Sequence, residues 1–331
     1  YTRRDYEGPV STLCAGCGHD SISAAIVKAC FELDIEPHRV AKLSGIGCSS
    51  KTPTYFLGAS HGFNSVHGRM PSVATGANLA NKDLIYLGVS GDGDSASIGL
   101  GQFAHAMRRG VNMVYIVENN GVYGLTKGQF SATSDKGAKS KRGAINQDEP
   151  IDLVGMALQL GATFVARSFS GDKAQLVPLI EAALKHQGAA FIDCISPCIA
   201  FNNHEGSTKS FDYVREHNEA LNYLDVLPNR SEITVDYAPG TVEMVTQHDG
   251  SVLQLRKLHT NYNVNDRVEA LTYMQQRAAA GEIVTGLLYV DPNPRDMHSY
   301  QKTVDTPLNA LQEDALIPGA KALERINASL R

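Results

Sequence analysis

The chain has 331 residues, with 30 Gly, 13 Pro and 20% charged residues, enough to bury a large core and unlike a collagen-like, coiled-coil or disordered sequence. Its formal charge of −5, from 30 Lys+Arg against 35 Asp+Glu, argues against a general electrostatic grip on nucleic acid or an anionic membrane surface. No apolar run approaches the roughly 18 residues of a membrane span, and the opening segment lacks an apolar leader stretch, so a soluble, cytoplasmic protein is expected.

After a loop over 13–20, Ile22, Ala25, Ile26, Ala29, Cys30 and Leu33 recur on one helical face, with Asp20 or Ser21 as the expected cap. Three short apolar runs, over 84–89, 113–117 and 191–195, are bounded by Gly, Asn, Asp or Pro and read as buried parallel strands. Helical patterns over 101–109 and 176–184 lie among them. This alternation predicts an α/β fold, a doubly wound, mostly parallel sheet. After about Asn203 the composition shifts toward Ser, Asn, Pro and charge. Residues 1–204 are therefore expected to form the ligand-binding domain and 205–331 a smaller, interface-forming extension. Within the extension, 241–246 and 251–255 flank Gln247-His248-Asp249-Gly250, a hairpin signature, and 266–280 reads as a helix. The tail carries Pro292, Pro294, Pro307 and Pro318 without strong periodicity, which suits an arm laid over a partner.

The strongest chemical signal is Gly91-Asp92-Gly93-Asp94 followed by Asn119-Asn120-Gly121-Val122-Tyr123-Gly124, each at the carboxyl end of an expected strand, where open α/β sheets bind ligands. Asp92 and Asn120 offer hard oxygen ligands for Mg²⁺, completed by water and phosphate oxygens. Gly91 and Gly93 allow a phosphate close to the backbone, and a helix after Ser95 can aim its amides at it. The competing reading is two ordinary Gly/Asn turns. Gly99-Leu100-Gly101-Gln102-Phe103-Ala104 imitates a dinucleotide fingerprint but starts well past the strand end, so its glycines are read as close helix packing. Of the six cysteines, Cys14, Cys17, Cys48 and Cys198 lie in loops, a usage that suggests metal or redox chemistry more than disulfides. Cys30 and Cys194 fall on apolar element faces and read as inert core residues.

Taken together, Gly91-Asp92-Gly93 with Asn119-Asn120, Cys14-Ala15-Gly16-Cys17-Gly18-His19 and Gly45-Ile46-Gly47-Cys48-Ser49 resemble the β subunit of 2-oxoacid:ferredoxin oxidoreductases over about the first 205 residues. The turn at 195–202 looks more like the 2-oxoglutarate branch than the pyruvate one. The resemblance implies thiamine diphosphate held through Mg²⁺ by Asp92, Asn120 and the Val122 carbonyl. Gly91, Gly93, Asp94, Gly124 and Leu125 would surround the diphosphate, with Ile46, Gly47, Cys48, Ser49 and His67 also touching the coenzyme. It also implies a [4Fe-4S] cluster on Cys14, Cys17, Cys48 and Cys198. A structural Cys₄ zinc site uses the same ligand type, but zinc ribbons usually pair two C-x-x-C knuckles, and here the third and fourth cysteines are single.

The implied reaction is coenzyme-A-dependent oxidative decarboxylation of a 2-oxoacid to acyl-CoA and CO₂, with electrons passing through the cluster to ferredoxin. The glutamate that activates the coenzyme would come from an α (or α/γ) partner subunit, so this chain is expected to be inactive alone. Lys51 and Lys127, in loops assigned to the coenzyme, are candidate anchors for the substrate carboxylates. Lysines are more commonly solvated surface residues. Two other classes stay open: a non-oxidative thiamine diphosphate decarboxylase or carboligase, which gives the four cysteines no reason to converge, and a non-catalytic metal-binding scaffold, which leaves Asp92 and Asn120 idle.

Overall fold

The computed structural model describes residues 1–126, 128–138, 144–198, 231–247, 252–317 and 319–330. Strands β1 (Val40–Ser44), β2 (His61–Asn64), β3 (Ile85–Gly91), β4 (Met113–Asn119), β7 (Phe164–Phe169) and β8 (Ala189–Ile195) pair in parallel. Strands β5 (Val122–Tyr123) and β6 (Gln129–Phe130) form a separate antiparallel pair. Beyond residue 230, β9 (Val242–Thr246), β10 (Val252–Lys257) and β11 (Ile283–Val290) extend the main sheet, whose order is β2-β1-β3-β4-β8-β7-β11-β10-β9. β11 runs antiparallel to β7, β10 parallel to β11, and β9 antiparallel to β10.

Strand β4 shows why the central runs are apolar on every residue. Its Val114 and Ile116 pack in one core cluster, and its Met113, Tyr115 and Val117 pack in another on the opposite face. Helices cover both. On the first face lie α1 (Gly18–Glu32) and α5 (Lys173–Lys185), contributing Ile22, Ile26, Leu176 and Ile180. On the second lie α2 (Met70–Ala80), α3 (Leu100–Arg109), α4 (Leu153–Gln159) and α6 (Arg267–Ala279). There Phe103 meets Phe191 edge-on at 5.1 Å and Tyr115 at 5.5 Å between ring centroids, a favoured aromatic geometry. The expected doubly wound, mostly parallel sheet is the observed one.

Local expectations fared unevenly. The α1 cap is Cys17, with helix from Gly18, and neither Asp20 nor Ser21. The segment after β3 is not a plain helix: a π-helical turn (Gly93–Ile98) starts directly from Asp92 and α3 follows it. Gly99 is needed for packing, since a Cβ there would stand 2.8 Å from the Gly68 backbone, but nothing lies within 4 Å of a Cβ at Gly101. Close packing therefore holds for the first glycine and not the second. The hairpin strands and the helix over 267–279, capped by the Asp266 carboxylate, formed as expected. Residues 199–230, which contain the expected 204/205 boundary, lie outside the described residues. On its far side, Leu258, Ala270, Met274, Val284 and Leu288 join the same core cluster as Met70 and Phe103. The tail after Met297 is different: none of the residues in its short helical segments Leu308–Ala310, Glu313–Leu316 and Ala320–Ser329 is buried.

Candidate functional site

Because β3 and β4 are adjacent and parallel, with Gly91 opposite Glu118, their carboxyl ends deliver Asp92 and Asn120 to one place. Asp92 is 1% exposed. One of its oxygens accepts from the Asn120 backbone N–H at 3.3 Å, and the other accepts from the Thr133 hydroxyl at 2.8 Å. The Asn120 side-chain oxygen in turn accepts from the Val122 N–H at 3.1 Å. These bonds fix Asp92, Asn120 and Val122 as one oxygen-bearing group. Asp94 works differently: its carboxylate accepts from the Gly68 N–H and the Ser90 hydroxyl, both at 2.7 Å. It thereby ties the loop carrying His67 to the turn after β3.

A pocket of about 40 Å³ opens here. Its walls are residues 46–49, His67, 91–94, Asn120 and 122–126, joined by His19 and Glu118. All the expected coenzyme residues, and the three expected Mg²⁺ ligands, therefore line one space. Tightness at the glycines comes partly from protein: a Cβ at Gly93 would stand 2.5 Å from the Tyr123 ring, and one at Gly91 would stand 2.9 Å from the Ser49 hydroxyl. Of the lysines, Lys51 is exposed and is not among the pocket's lining residues. Lys127 lies outside the described residues.

The four loop cysteines gather beside this pocket. A Cβ at Gly124 would stand 3.4 Å from the Cys48 sulfur and 3.8 Å from that of Cys198. The Cys14 carbonyl accepts from the Cys17 N–H at 3.0 Å, and the Pro197 carbonyl accepts from the Gly18 N–H at 3.5 Å, which joins the C-x-x-C loop to the loop of Cys198. None of the four is joined in a disulfide among the described residues. Burial pushes the Cys48 pKa up to about 11, with Cys198 and Cys14 raising it further and Lys51 opposing. Burial likewise raises Cys17 well above its ordinary value, and Cys14 less, the latter with Lys51 opposing. A cluster of this kind resists joint ionisation until a cation replaces the protons. Among the described residues, no three His, Cys, Asp or Glu side chains close on a point as ligands to one ion would. Thiolates on a cubane, each holding a different iron, stand farther apart. Cys30 and Cys194, by contrast, are fully buried in the core away from the loops.

Two residues to which the sequence assigned no role sit between the halves of the site. His19, two positions after Cys17, is 1% exposed; its Nδ1 lies 2.6 Å from the Ser196 hydroxyl, and its Nε2 lies 3.5 Å from the Asn120 amide nitrogen. Burial pushes its pKa down to about 4, so the ring is neutral at pH 7. Glu118 is fully buried, with its carboxylate 3.6 Å from His19 and no ordinary hydrogen bond among the described residues. Burial raises its pKa well above the carboxylate range, with the Thr52 hydroxyl opposing. Glu118 was hidden because it occupies a strand position that reads as interior. The only signal was its place directly before Asn119-Asn120.

Residues 45–194 match the C-terminal TPP binding domain family of thiamine pyrophosphate enzymes. The chain is 41% identical over 217 residues to the β subunit of a 2-oxoacid:ferredoxin oxidoreductase from a Sulfolobus species, an alignment covering 65% of this chain and 69% of the relative. It is 41% identical to the 2-oxoglutarate oxidoreductase subunit KorB of Mycobacterium tuberculosis, over 61% of this chain and 53% of that one. It is 36% identical to the 2-oxoglutarate synthase subunit KorB of Methanocaldococcus jannaschii, over 66% and 81%. The chain thus spans from about half to four-fifths of these curated relatives. A solved 2-oxoglutarate:ferredoxin oxidoreductase from Magnetococcus marinus, with 2-oxoglutarate, coenzyme A and succinyl-CoA bound, superposes with a TM-score of 0.74 at 28% identity, covering 100% of this chain and 96% of that chain. With the Asp92–Asn120 pair and the four cysteines placed as described, these matches show that the chain belongs to the β subunits of the 2-oxoacid:ferredoxin oxidoreductases.

Proposed function

We propose that this chain carries the thiamine diphosphate and [4Fe-4S] sites of a 2-oxoacid:ferredoxin oxidoreductase that converts 2-oxoglutarate and coenzyme A to the acyl-CoA and CO₂, with ferredoxin as acceptor. The observation that carries this reading is the shared wall at Gly124, which lines the diphosphate pocket on one side and meets the Cys48 and Cys198 sulfurs on the other. When bound, thiamine diphosphate supplies the electron sink for loss of CO₂, and an iron–sulfur cluster accepts electrons one at a time.

The chain's own residues hold and orient. Asp92, Asn120 and the Val122 carbonyl are suited to Mg²⁺, a hard cation that takes few protein oxygens and leaves positions for phosphate. Thr133 and the Asn120 N–H aim the Asp92 carboxylate. The pocket's polar walls suit the ion and diphosphate oxygens, and the thiamine rings need walls from a partner subunit. Cys14, Cys17, Cys48 and Cys198 supply the cluster thiolates, two of them at helical N-termini, where peptide dipoles favour the anion. His67 on the pocket wall and Lys51 on the loop after Cys48, with Lys127, which lies outside the described residues, are proposed to meet the substrate.

The test is chemical analysis of the complex of this chain with its partner subunit, purified without oxygen. Iron should exceed that of matched complexes carrying Cys14→Ser, Cys17→Ser, Cys48→Ser or Cys198→Ser by about four atoms per copy of this chain, the content of one cubane. Full iron in the Cys198→Ser complex would remove that residue from the ligand set, and zinc in place of iron would overturn the redox reading.

A further inference from the structure

Apart from the diphosphate pocket there is a second and larger cavity, of about 510 Å³, bounded by the ends of β4 and β8, the β5–β6 pair, strand β10, the start of β11 and α6. That volume is in the range of small-molecule sites. Its lining includes apolar side chains such as Val122, Ile195, Leu253, Met274 and Val284. The feature that singles it out is Gln247, which follows β9, lines this cavity and is 5% exposed. Both its amide nitrogen and its amide oxygen lack a hydrogen-bond partner among the described residues. Buried amides are ordinarily satisfied, and one that loses water without replacement destabilises the fold. A ligand that offers an acceptor beside a donor would remove that cost.

The charges on the wall limit what such a ligand can be. Arg167 already donates to Asp193 at 3.0 Å and to Asp152 at 2.6 Å. Asp135 and Glu282 also line the cavity, and Glu282 is paired with the guanidinium groups of Arg256 and Arg277. Each of these arginines already serves a carboxylate, so the described wall holds no uncommitted guanidinium for a 2-oxoacid or a phosphate, and a neutral molecule needs none. The geometry points to a binding site for a neutral, flat heterocycle with an amino or amide donor next to a ring or carbonyl acceptor, the edge that a glutamine amide pairs with in adenine. Apolar walls take the ring faces, and Gln247 reads the edge. Asn119 and Thr133 belong to this wall and also hold the Asp92 carboxylate or its neighbours. The site is nonetheless distinct from the diphosphate pocket, which neither of them lines.

The probe is adenosine, titrated by calorimetry into the complex with its partner subunit, saturated with Mg²⁺ and thiamine diphosphate. Adenosine should bind, purine riboside, which lacks the 6-amino donor, at least tenfold more weakly, and adenosine 5′-diphosphate more weakly than adenosine. Gln247→Leu should weaken adenosine at least tenfold and leave thiamine diphosphate affinity unchanged. Gln247→Met, which fills similar space without the amide, should behave the same and covers the case in which the leucine variant fails to fold. No adenosine binding at millimolar concentration, equal binding of purine riboside, tighter binding of the diphosphate, or unchanged affinity in both variants would each overturn the proposal.

Discussion

Asp92 carries the heaviest demand of any residue in the diphosphate pocket. Its carboxylate is aimed by two donors and lies 1% exposed, so a cation that neutralises it gains a formal charge interaction in a site with little water. Asn120 contributes a neutral oxygen that already accepts from Val122. Calorimetry should therefore find Mg²⁺-dependent thiamine diphosphate affinity reduced by about a hundredfold in Asp92→Ala, roughly 2.7 kcal/mol, and by less in Asn120→Ala. Equal losses, or none, would contradict the assignment. Much of this pocket is legible in the sequence because its walls come as contiguous turns, Gly-Asp-Gly and Asn-Asn, that are ordinary singly but specific when both follow strands. His19, Glu118 and Thr133 were not readable, because each acts through a partner distant in sequence: His19 through Ser196, Glu118 through His19, and Thr133 through Asp92.

At the level of elements, legibility followed burial on both faces. Strands β3, β4 and β8 are apolar nearly throughout and stand out, whereas β1 is interrupted by Lys42, β7 by Arg167 and β11 by Gly286. Each interruption has a structural partner that a one-dimensional pattern cannot show. Lys42 runs inside the fold to donate to the Phe56 and Leu57 carbonyls at 2.6 and 3.0 Å, tying β1 to the segment that follows Cys48. Burial lowers its pKa from 10.5 to about 8. Between those values the unfolded chain holds the proton that the folded chain has released. Stability should accordingly rise with pH from about 8 to 10.5, and the cost of the buried charge, at most about 3 kcal/mol, is fully present below 8. Urea unfolding of the wild type and of Lys42→Met across this window checks it: the stability difference between them should shift in favour of the wild type as pH rises. Parallel curves would show that Lys42 keeps its ordinary pKa.

On the scale of the whole molecule, the main sheet takes in strands β9, β10 and β11 from the region expected to be a smaller extension. Composition does not show where a later strand docks, and β11 pairs with β7 from far earlier in the chain. Leu288 on β11 is fully buried in the cluster that also holds Met70, Phe103 and Leu158. Leu288→Ala should cost about 2–5 kcal/mol and lower the midpoint of a single cooperative transition. A variant in which the C-terminal strands melt first, with the rest unmoved, would support the two-domain division. In the function we propose, one chain sets a thiamine diphosphate site against an electron-accepting cluster, with Gly124 as the shared wall. Its most direct test is the oxygen-free reaction of 2-oxoglutarate with the complex of this chain and its partner subunit, following CO₂ release and ferredoxin reduction together. Two electrons should be delivered per CO₂, coenzyme A should be required, and ferredoxin reduction should be lost in Cys48→Ser. CO₂ released at the same rate with no acceptor reduced would contradict it and identify a non-oxidative thiamine enzyme.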